Sequence, residues 1–135
     1  MQPVRLWLFD FSMGKTILLV AIGGAAGSVM RYLTSVLTHK YVTAVFPVAT
    51  FLTNVAGCLL MGLLTGWLSK NLPGHENLKW LLVSGFCGGF TTFSAFGLEN
   101  ISLLESGNYS MALLYTSASV VVGLAAVYVG LWIGR

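Results

Sequence analysis

Charge is what this chain has least of. Acidic and basic residues make up 8% of its 135 residues, where soluble domains carry roughly 25%. A soluble fold of this length would lack polar surface, so the chain reads as a single integral membrane domain over residues 1–135, too short for a second, soluble one. The basic residues are scattered and the net charge is only +3, which argues against a nucleic-acid surface. That balance suits a few loop lysines beside anionic lipid. Histidine is nearly absent: His39 and His75 stand alone in polar stretches. The two cysteines, Cys58 and Cys87, fall inside apolar runs without a metal-type spacing. They read as small buried apolar residues. The HExxH, G-x-S-x-G and nucleotide-loop motifs are missing, and no apolar run holds an acidic or histidine cluster. An intramembrane enzyme needs a nucleophile with its base, or metal ligands, so the expectation is a non-enzyme.

What the chain does have is four apolar segments, at about 16–37, 47–68, 80–104 and 111–133. Each has the roughly 20 residues that cross a bilayer as a helix. Trp80, Tyr109 and Trp132 sit near segment ends, where aromatic belts form. Residues 1–12 mix aromatics with Arg5 and Asp10. They read as an interfacial stretch rather than a signal peptide, and Met13-Gly14-Lys15 also resembles a natural beginning. Four crossings put both termini on one side. That side carries Arg5, Lys15, Lys70, Lys79 and Arg135, against Lys40 and Arg31 on the other. The bias favours termini inside. No internal repeat is visible, so symmetry would come from pairing two copies.

One stretch stands apart. Gly85-Phe-Cys-Gly-Gly-Phe-Thr-Thr-Phe-Ser-Ala-Phe96 packs three glycines, two threonines, a serine and four phenylalanines into the third segment. Gly88-Gly89 followed by Thr91-Thr92 disfavours a regular helix. A helix opened there would free carbonyl oxygens, which are hard-cation ligands, and such backbone survives at membrane depth only where something satisfies it. Close glycine packing is the alternative. Phe93 and Phe96 share a face. They are either packing residues or, with the positive ring edge turned inward, an anion-facing wall beside Thr91, Thr92 and Ser94. Asn54, inside the second segment, needs hydrogen-bond partners. It forms either an interhelical bond or an amide donor on an anion path, with Thr50 one turn away. Tyr115 and Ser119 make a hydroxyl stripe on the fourth segment, with Thr116 and Ser117 beside them. Such serine and threonine hydroxyls commonly bond their own helix carbonyls. Arg31 and Glu99 read first as interfacial or structural charges, Arg31 snorkelling or pairing with an acid and Glu99 near a pathway mouth.

Three pieces, in order and spacing, resemble the Fluc/CrcB family of fluoride channels: Gly23-Gly-Ala-Ala-Gly-Ser-Val-Met-Arg-Tyr32, Thr53-Asn-Val-Ala-Gly57, and Gly85 to Phe96. The likeness runs from Met13 through nearly the whole chain. It implies an all-α membrane protein with four transmembrane helices per subunit, the third broken, assembled as an antiparallel dual-topology homodimer in the bacterial inner (plasma) membrane. It implies a passive channel exporting cytoplasmic fluoride along two pathways, with a central structural sodium ion. By resemblance the backbone carbonyls of Gly88 and Thr91 would hold Na⁺. Asn54, Thr92, Phe93, Ser94, Phe96, Tyr115 and Ser119 would line the anion path. Arg31 would match the first-helix arginine and Glu99 an acid near a vestibule. Ala95 stands where the family often has threonine, and Gly123 stands one turn beyond Ser119 where a hydroxyl would extend the track. A second reading is a small proton-coupled multidrug exporter with four spans, which would need an intramembrane glutamate. A third is a non-transporting assembly subunit.

Overall fold

The computed structural model describes residues 11–135. The interfacial reading of residues 1–12 falls almost wholly outside them. Backbone N–H and C=O groups find no partner in hydrocarbon, so each apolar run closes its bonds within itself as helix. Helix α1 spans Phe11–Tyr41 and ends on His39 and Lys40, cations that suit a helix C-terminus. Helix α2 spans Val48–Asn71, with Pro47 at its N-cap. A turn at Gly74, with φ of 89°, leads into the third span. That span is composite. A short α3, Glu76–Leu78, runs into a π-wound stretch, Lys79–Cys87, and then α4, Gly88–Phe90. After Thr91 and Thr92 it resumes as α5, Phe93–Glu105. Helix α6 covers Tyr109–Gly134. Four helical stretches among the described residues are long and apolar enough to cross a membrane: Met13–Tyr41, Val48–Asn71, Glu76–Glu105 and Tyr109–Gly134.

Two glycine seams join these helices. A Cβ added at Gly62 would strike the Val127 carbonyl oxygen, and one at Gly130 the Leu59 carbonyl oxygen. Helices α2 and α6 therefore touch backbone to backbone, as small residues allow in membranes. Helix α1 meets the first half of the third span in the same way: a Cβ at Gly27 would strike the Phe86 carbonyl oxygen. The two pairs meet where Gly57 of α2 faces Phe90 and the Thr91 methyl.

The buried interior is small. Tyr115, Leu68, Thr53 and Cys87 are its largest fully buried side chains. Apolar side chains cover the outer faces, among them Ile17, Leu18, Val29, Leu113, Val121 and Trp132. A water-soluble fold would bury these residues, whereas hydrocarbon accepts them. Among the described residues the one ion pair is Lys79–Glu76, at 3.0 Å, close to the Gly74 turn.

The break differs in detail from the sequence expectation. Gly88 and Gly89 stay helical. The interruption falls on the threonines, with Thr91 at φ −79°, ψ 157° and Thr92 at φ −150°, ψ 121°. β-Branched residues favour extended backbone, and Gly89 serves packing instead: a Cβ there would strike the Gly24 carbonyl oxygen of α1. The span bends at this two-residue break and continues.

Candidate functional site: a bent helix flanked by hydroxyls

The break is held from both sides. The Thr92 N–H, which in a continuous helix would close onto the Gly88 carbonyl, donates to Asn54 Oδ1 at 2.7 Å. Asn54 Nδ2 donates to the Thr92 carbonyl at 3.0 Å. One side chain from α2 thus replaces the lost helical partner of the Thr92 N–H and adds a bond to its carbonyl. Upstream, the Cys87 carbonyl accepts the Thr91 N–H at 3.1 Å and the Thr91 hydroxyl at 3.0 Å. Downstream, Thr92 Oγ1 caps α5 by accepting the Ala95 N–H at 3.3 Å, and it shares a hydrogen bond with Ser94 Oγ at 3.2 Å.

Arg31 completes the clamp from α1. Its Nε donates to the Gly89 carbonyl at 3.1 Å, and Ser28 Oγ donates to the same oxygen at 3.4 Å. A guanidinium at the C-terminal end of a helical run opposes the partial negative charge there. Arg31 therefore binds a backbone carbonyl at the break, a partner outside the two sequence alternatives of snorkelling and pairing with an acid.

Glu99 lies deeper than its place near a segment end suggested. The Thr50 hydroxyl donates to its Oε1 at 2.6 Å and the Tyr115 hydroxyl to its Oε2 at 2.7 Å. Thr50 is buried and Tyr115 is 0% exposed, so the carboxylate ties α2, α5 and α6 together. Glu99 also lines a cavity of about 300 Å³ together with Arg31, Thr50 and Thr92. A second cavity, of about 420 Å³, reaches Glu99 from the side of His39, Ser106 and Asn108. The carboxylate stands between the two.

The aromatic residues form a line. The Phe93 and Phe96 ring centroids are 5.6 Å apart, and those of Phe96 and Tyr115 are 5.1 Å apart. Phe46 meets Tyr115 edge-on at 5.2 Å and Phe51 at 5.3 Å. Phe96 is half-buried, whereas Phe93 is 82% exposed on the single chain. One turn beyond Tyr115, Ser119 Oγ is buried and has no hydrogen-bond partner. Thr53, by contrast, spends its hydroxyl on the Ala49 and Thr50 carbonyls, at 3.1 and 3.0 Å. Thr116 does not bond its own helix; its hydroxyl donates to Asn100 Oδ1 at 2.8 Å.

The sequence-predicted residues thus gather into three groups. Asn54, Thr92 and Ser94 surround the break, with Gly88 and Thr91 just before it. Phe93 and Phe96 lead from the break to Tyr115. Ser119 extends this line along α6. Sequence reasoning passed over the partners Ser28, Phe46, Phe51 and Asn100, and it undervalued Glu99 and Thr50. One signal was available. Glu99 and Tyr115 lie equally far from Gly107, whose φ of 77° marks the α5–α6 turn, so an antiparallel helix pair places them side by side.

A hard cation at the break would need oxygen donors. The Gly88 carbonyl has lost its α-helical N–H to Asn54, Thr91 is extended, and nothing lies within 4 Å of a Cβ built on Gly88. Carbonyl oxygens on an open face fit such an ion. One chain offers too few for the six or so ligands such ions take. Among the described residues, no group of three or more His, Cys, Asp or Glu side chains is placed to hold a metal.

A four-span helical protein bent at a polar break, with hydroxyls and rings lining the bend, belongs among membrane transport proteins. Its kinship is specific. The profile of the CrcB-like protein family, Camphor Resistance (CrcB), matches residues 18–131. A protein of Flavobacterium psychrophilum named Fluoride-specific ion channel FluC is 53% identical over 121 residues, covering 90% of this chain and 98% of that one. A protein of the same name from Paracoccus denitrificans is 47% identical over 123 residues, covering 91% and 97%. Another, from Azobacteroides pseudotrichonymphae, is 46% identical over 116 residues, covering 86% and 93%. The chain belongs to the CrcB-like family and is a multi-pass bacterial membrane protein.

Proposed function

We propose that this protein is a single four-span domain that conducts fluoride passively and selectively, letting the ion leave the cytoplasm down the membrane potential. The observation that carries the reading is Ser119: a buried hydroxyl without a partner, on the same face as Tyr115, in a chain whose relatives are named for fluoride. An unpaired buried donor costs about 1–3 kcal/mol, and a small anion passing along α6 offsets that cost. Fluoride is small and tightly hydrated, so leaving water requires replacement donors. The remaining N–H of Asn54, the O–H of Thr92 or Ser94 that their shared bond leaves over, the Ser119 hydroxyl, and the edges of Phe93 and Phe96 supply them, beside Tyr115, whose own O–H is given to Glu99. Rings carry a positive edge without a full charge, so the ion is stabilised without being trapped. Arg31 raises the local potential from the cavity beside the break while its Nε is occupied by the Gly89 carbonyl. Chloride, larger and a weaker acceptor, is the poorer match to these hard donors.

The working unit in this reading is an antiparallel, dual-topology homodimer. The exposure of Phe93 and the open space at Gly88 support it, because a second copy packed against this side of the break would cover both. A structural sodium ion, held by the Gly88 and Thr91 carbonyls of both copies, would neutralise the carbonyl ends at the crossing. The proton-coupled exporter reading has less support, since the first span holds no glutamate and Glu99 is engaged in tying three helices together. The test is ion efflux from liposomes holding the purified protein. Fluoride leaves and chloride stays if the reading holds; equal flux of the two ions defeats it, and proton-coupled uptake of an organic cation would favour the exporter.

A further inference from the structure

The π-wound stretch starts at the membrane edge, and its first turn lines a groove remote from the break. Thr65 and Ser69 of α2, Glu76 of α3, and Lys79, Trp80 and Ser84 of the π-wound stretch surround a cavity of about 260 Å³. The winding builds it. Thr65 and Ser69, four apart on a regular helix, share a face. Lys79 and Ser84, five apart, stack one above the other in i→i+5 winding, whereas an α-helix would set them about 140° apart. The hydroxyls there are free. Serine and threonine in helices commonly return the hydroxyl to a carbonyl four residues back, as Thr34, Thr53 and Ser102 do. Among the described residues, none is a hydrogen-bond partner for the side chain of Thr65, Ser69 or Ser84. At the mouth stands the Lys79–Glu76 pair, 3.0 Å apart with side chains 37% and 61% exposed. Exposed pairs of this kind hold weakly.

We propose that this groove binds the headgroup of a phospholipid that carries a primary ammonium, phosphatidylethanolamine. The order of groups with depth matches on both sides. At the mouth the lipid ammonium donates to the Glu76 carboxylate, and the phosphodiester oxygens accept from Lys79 Nζ and the Ser69 hydroxyl. Thr65 lies about 6 Å further along α2 into the span than Ser69, and Ser84 one π turn beyond Lys79. Their hydroxyls donate to the glycerol ester carbonyls, which sit below the phosphate. Trp80, 41% exposed, stands at the level where aromatic rings meet headgroups. The lipid inserts its own two charges into the Lys79–Glu76 pair, so every charge keeps an opposite partner. An anionic lipid without an ammonium leaves Glu76 beside its phosphate uncompensated. A choline headgroup has the charge but no N–H to donate. The site is independent of what the chain conducts.

The test is native mass spectrometry of the purified protein in micelles holding equal amounts of phosphatidylethanolamine, phosphatidylglycerol and phosphatidylcholine with the same acyl chains. The wild type is expected to retain one phosphatidylethanolamine per chain, about tenfold more tightly than either competitor. Glu76→Gln loses the preference for ethanolamine over choline. The double variant Thr65→Val, Ser84→Ala binds phosphatidylethanolamine about tenfold more weakly. Ser102→Ala, whose hydroxyl serves its own helix, behaves as the wild type. Equal retention of the three lipids by the wild type, as an unselective annular shell gives, or tighter retention of phosphatidylglycerol overturns the site. So does an unchanged preference in Glu76→Gln, or unchanged affinity in a double variant with the helical circular dichroism of the wild type. The comparison of lipids on the wild type judges the site even where the double variant fails to fold.

Discussion

Replacing Asn54 tests what holds the bend open. Asn54→Leu keeps the side-chain volume and removes both hydrogen bonds to Thr92, at 2.7 and 3.0 Å. Two magnitudes compete. Leaving two buried backbone groups unpaired costs about 2–6 kcal/mol by the usual range of 1–3 kcal/mol each. Interhelical hydrogen bonds measured within membranes are weaker, averaging about 0.6 and reaching about 1.7 kcal/mol, because the unfolded state in lipid finds other partners. Thr92 is half-buried and borders two cavities, so the smaller scale governs, and two bonds give about 1–3 kcal/mol. Asn54→Asp separates the two contacts. It keeps the acceptor for the Thr92 N–H but sets a carboxylate oxygen against the Thr92 carbonyl, so it should destabilise at least as much as leucine despite its similar shape. The assay is reversible unfolding in mixed micelles, followed by helical circular dichroism. An Asn54→Leu protein within about 0.5 kcal/mol of the wild type, the range of an ordinary surface change, would refute the argument that this amide substitutes for the helix.

Other perturbations probe the remaining contacts. Tyr115→Phe removes one of the two donors to Glu99 and should cost about 0.6–1.7 kcal/mol in the same unfolding measurement, with Glu99→Gln costing less because an amide needs fewer donors. Gly62→Ala should destabilise the α2–α6 pair by about 1–3 kcal/mol or more, since the methyl meets backbone rather than a movable side chain; Gly88→Ala, with open space around it, should leave the single chain's stability nearly unchanged and, on the proposed dimer reading, weaken crosslinking between copies. Ser119→Ala should be neutral or stabilising in unfolding, because the lost hydroxyl has no partner, while slowing fluoride efflux by about tenfold, the equivalent of one lost hydrogen bond of about 1.4 kcal/mol.

Much of this architecture was legible as sequence because membrane helices carry their constraint on the surface. The apolar run Met111 to Ile133 has one low-energy backbone in hydrocarbon, and nothing in the tertiary structure overrides it. The special character of Gly85 to Phe96 was legible for the same reason, since threonines and paired glycines are poor filler. Which residues break the helix was not. Gly88-Gly89 and Thr91-Thr92 are both weak helix formers, and the choice between them depends on Gly24 pressing against Gly89 and Asn54 reaching Thr92, contacts made across the bundle. The sequence left Arg31 between snorkelling and pairing with an acid; the partner it has, the Gly89 carbonyl at the end of a helical run, is a backbone group that no side-chain pattern announces. Glu99 was undervalued because its distance from the segment end suggested an interfacial place; the α5–α6 hairpin folds Tyr115 over it. The π-wound stretch at Lys79–Cys87 carries no sequence cue that we can identify.

The central claim is that Phe93 and Phe96 form the wall along which fluoride passes from the break to Tyr115. Fluoride efflux from proteoliposomes, wild type against Phe96→Ile, tests it most directly, because isoleucine is apolar like phenylalanine but has no positive ring edge. The account predicts a folded dimer whose fluoride efflux falls by about tenfold or more, the equivalent of one lost contact of about 1.4 kcal/mol. Efflux at the wild-type rate from a folded Phe96→Ile protein would contradict it.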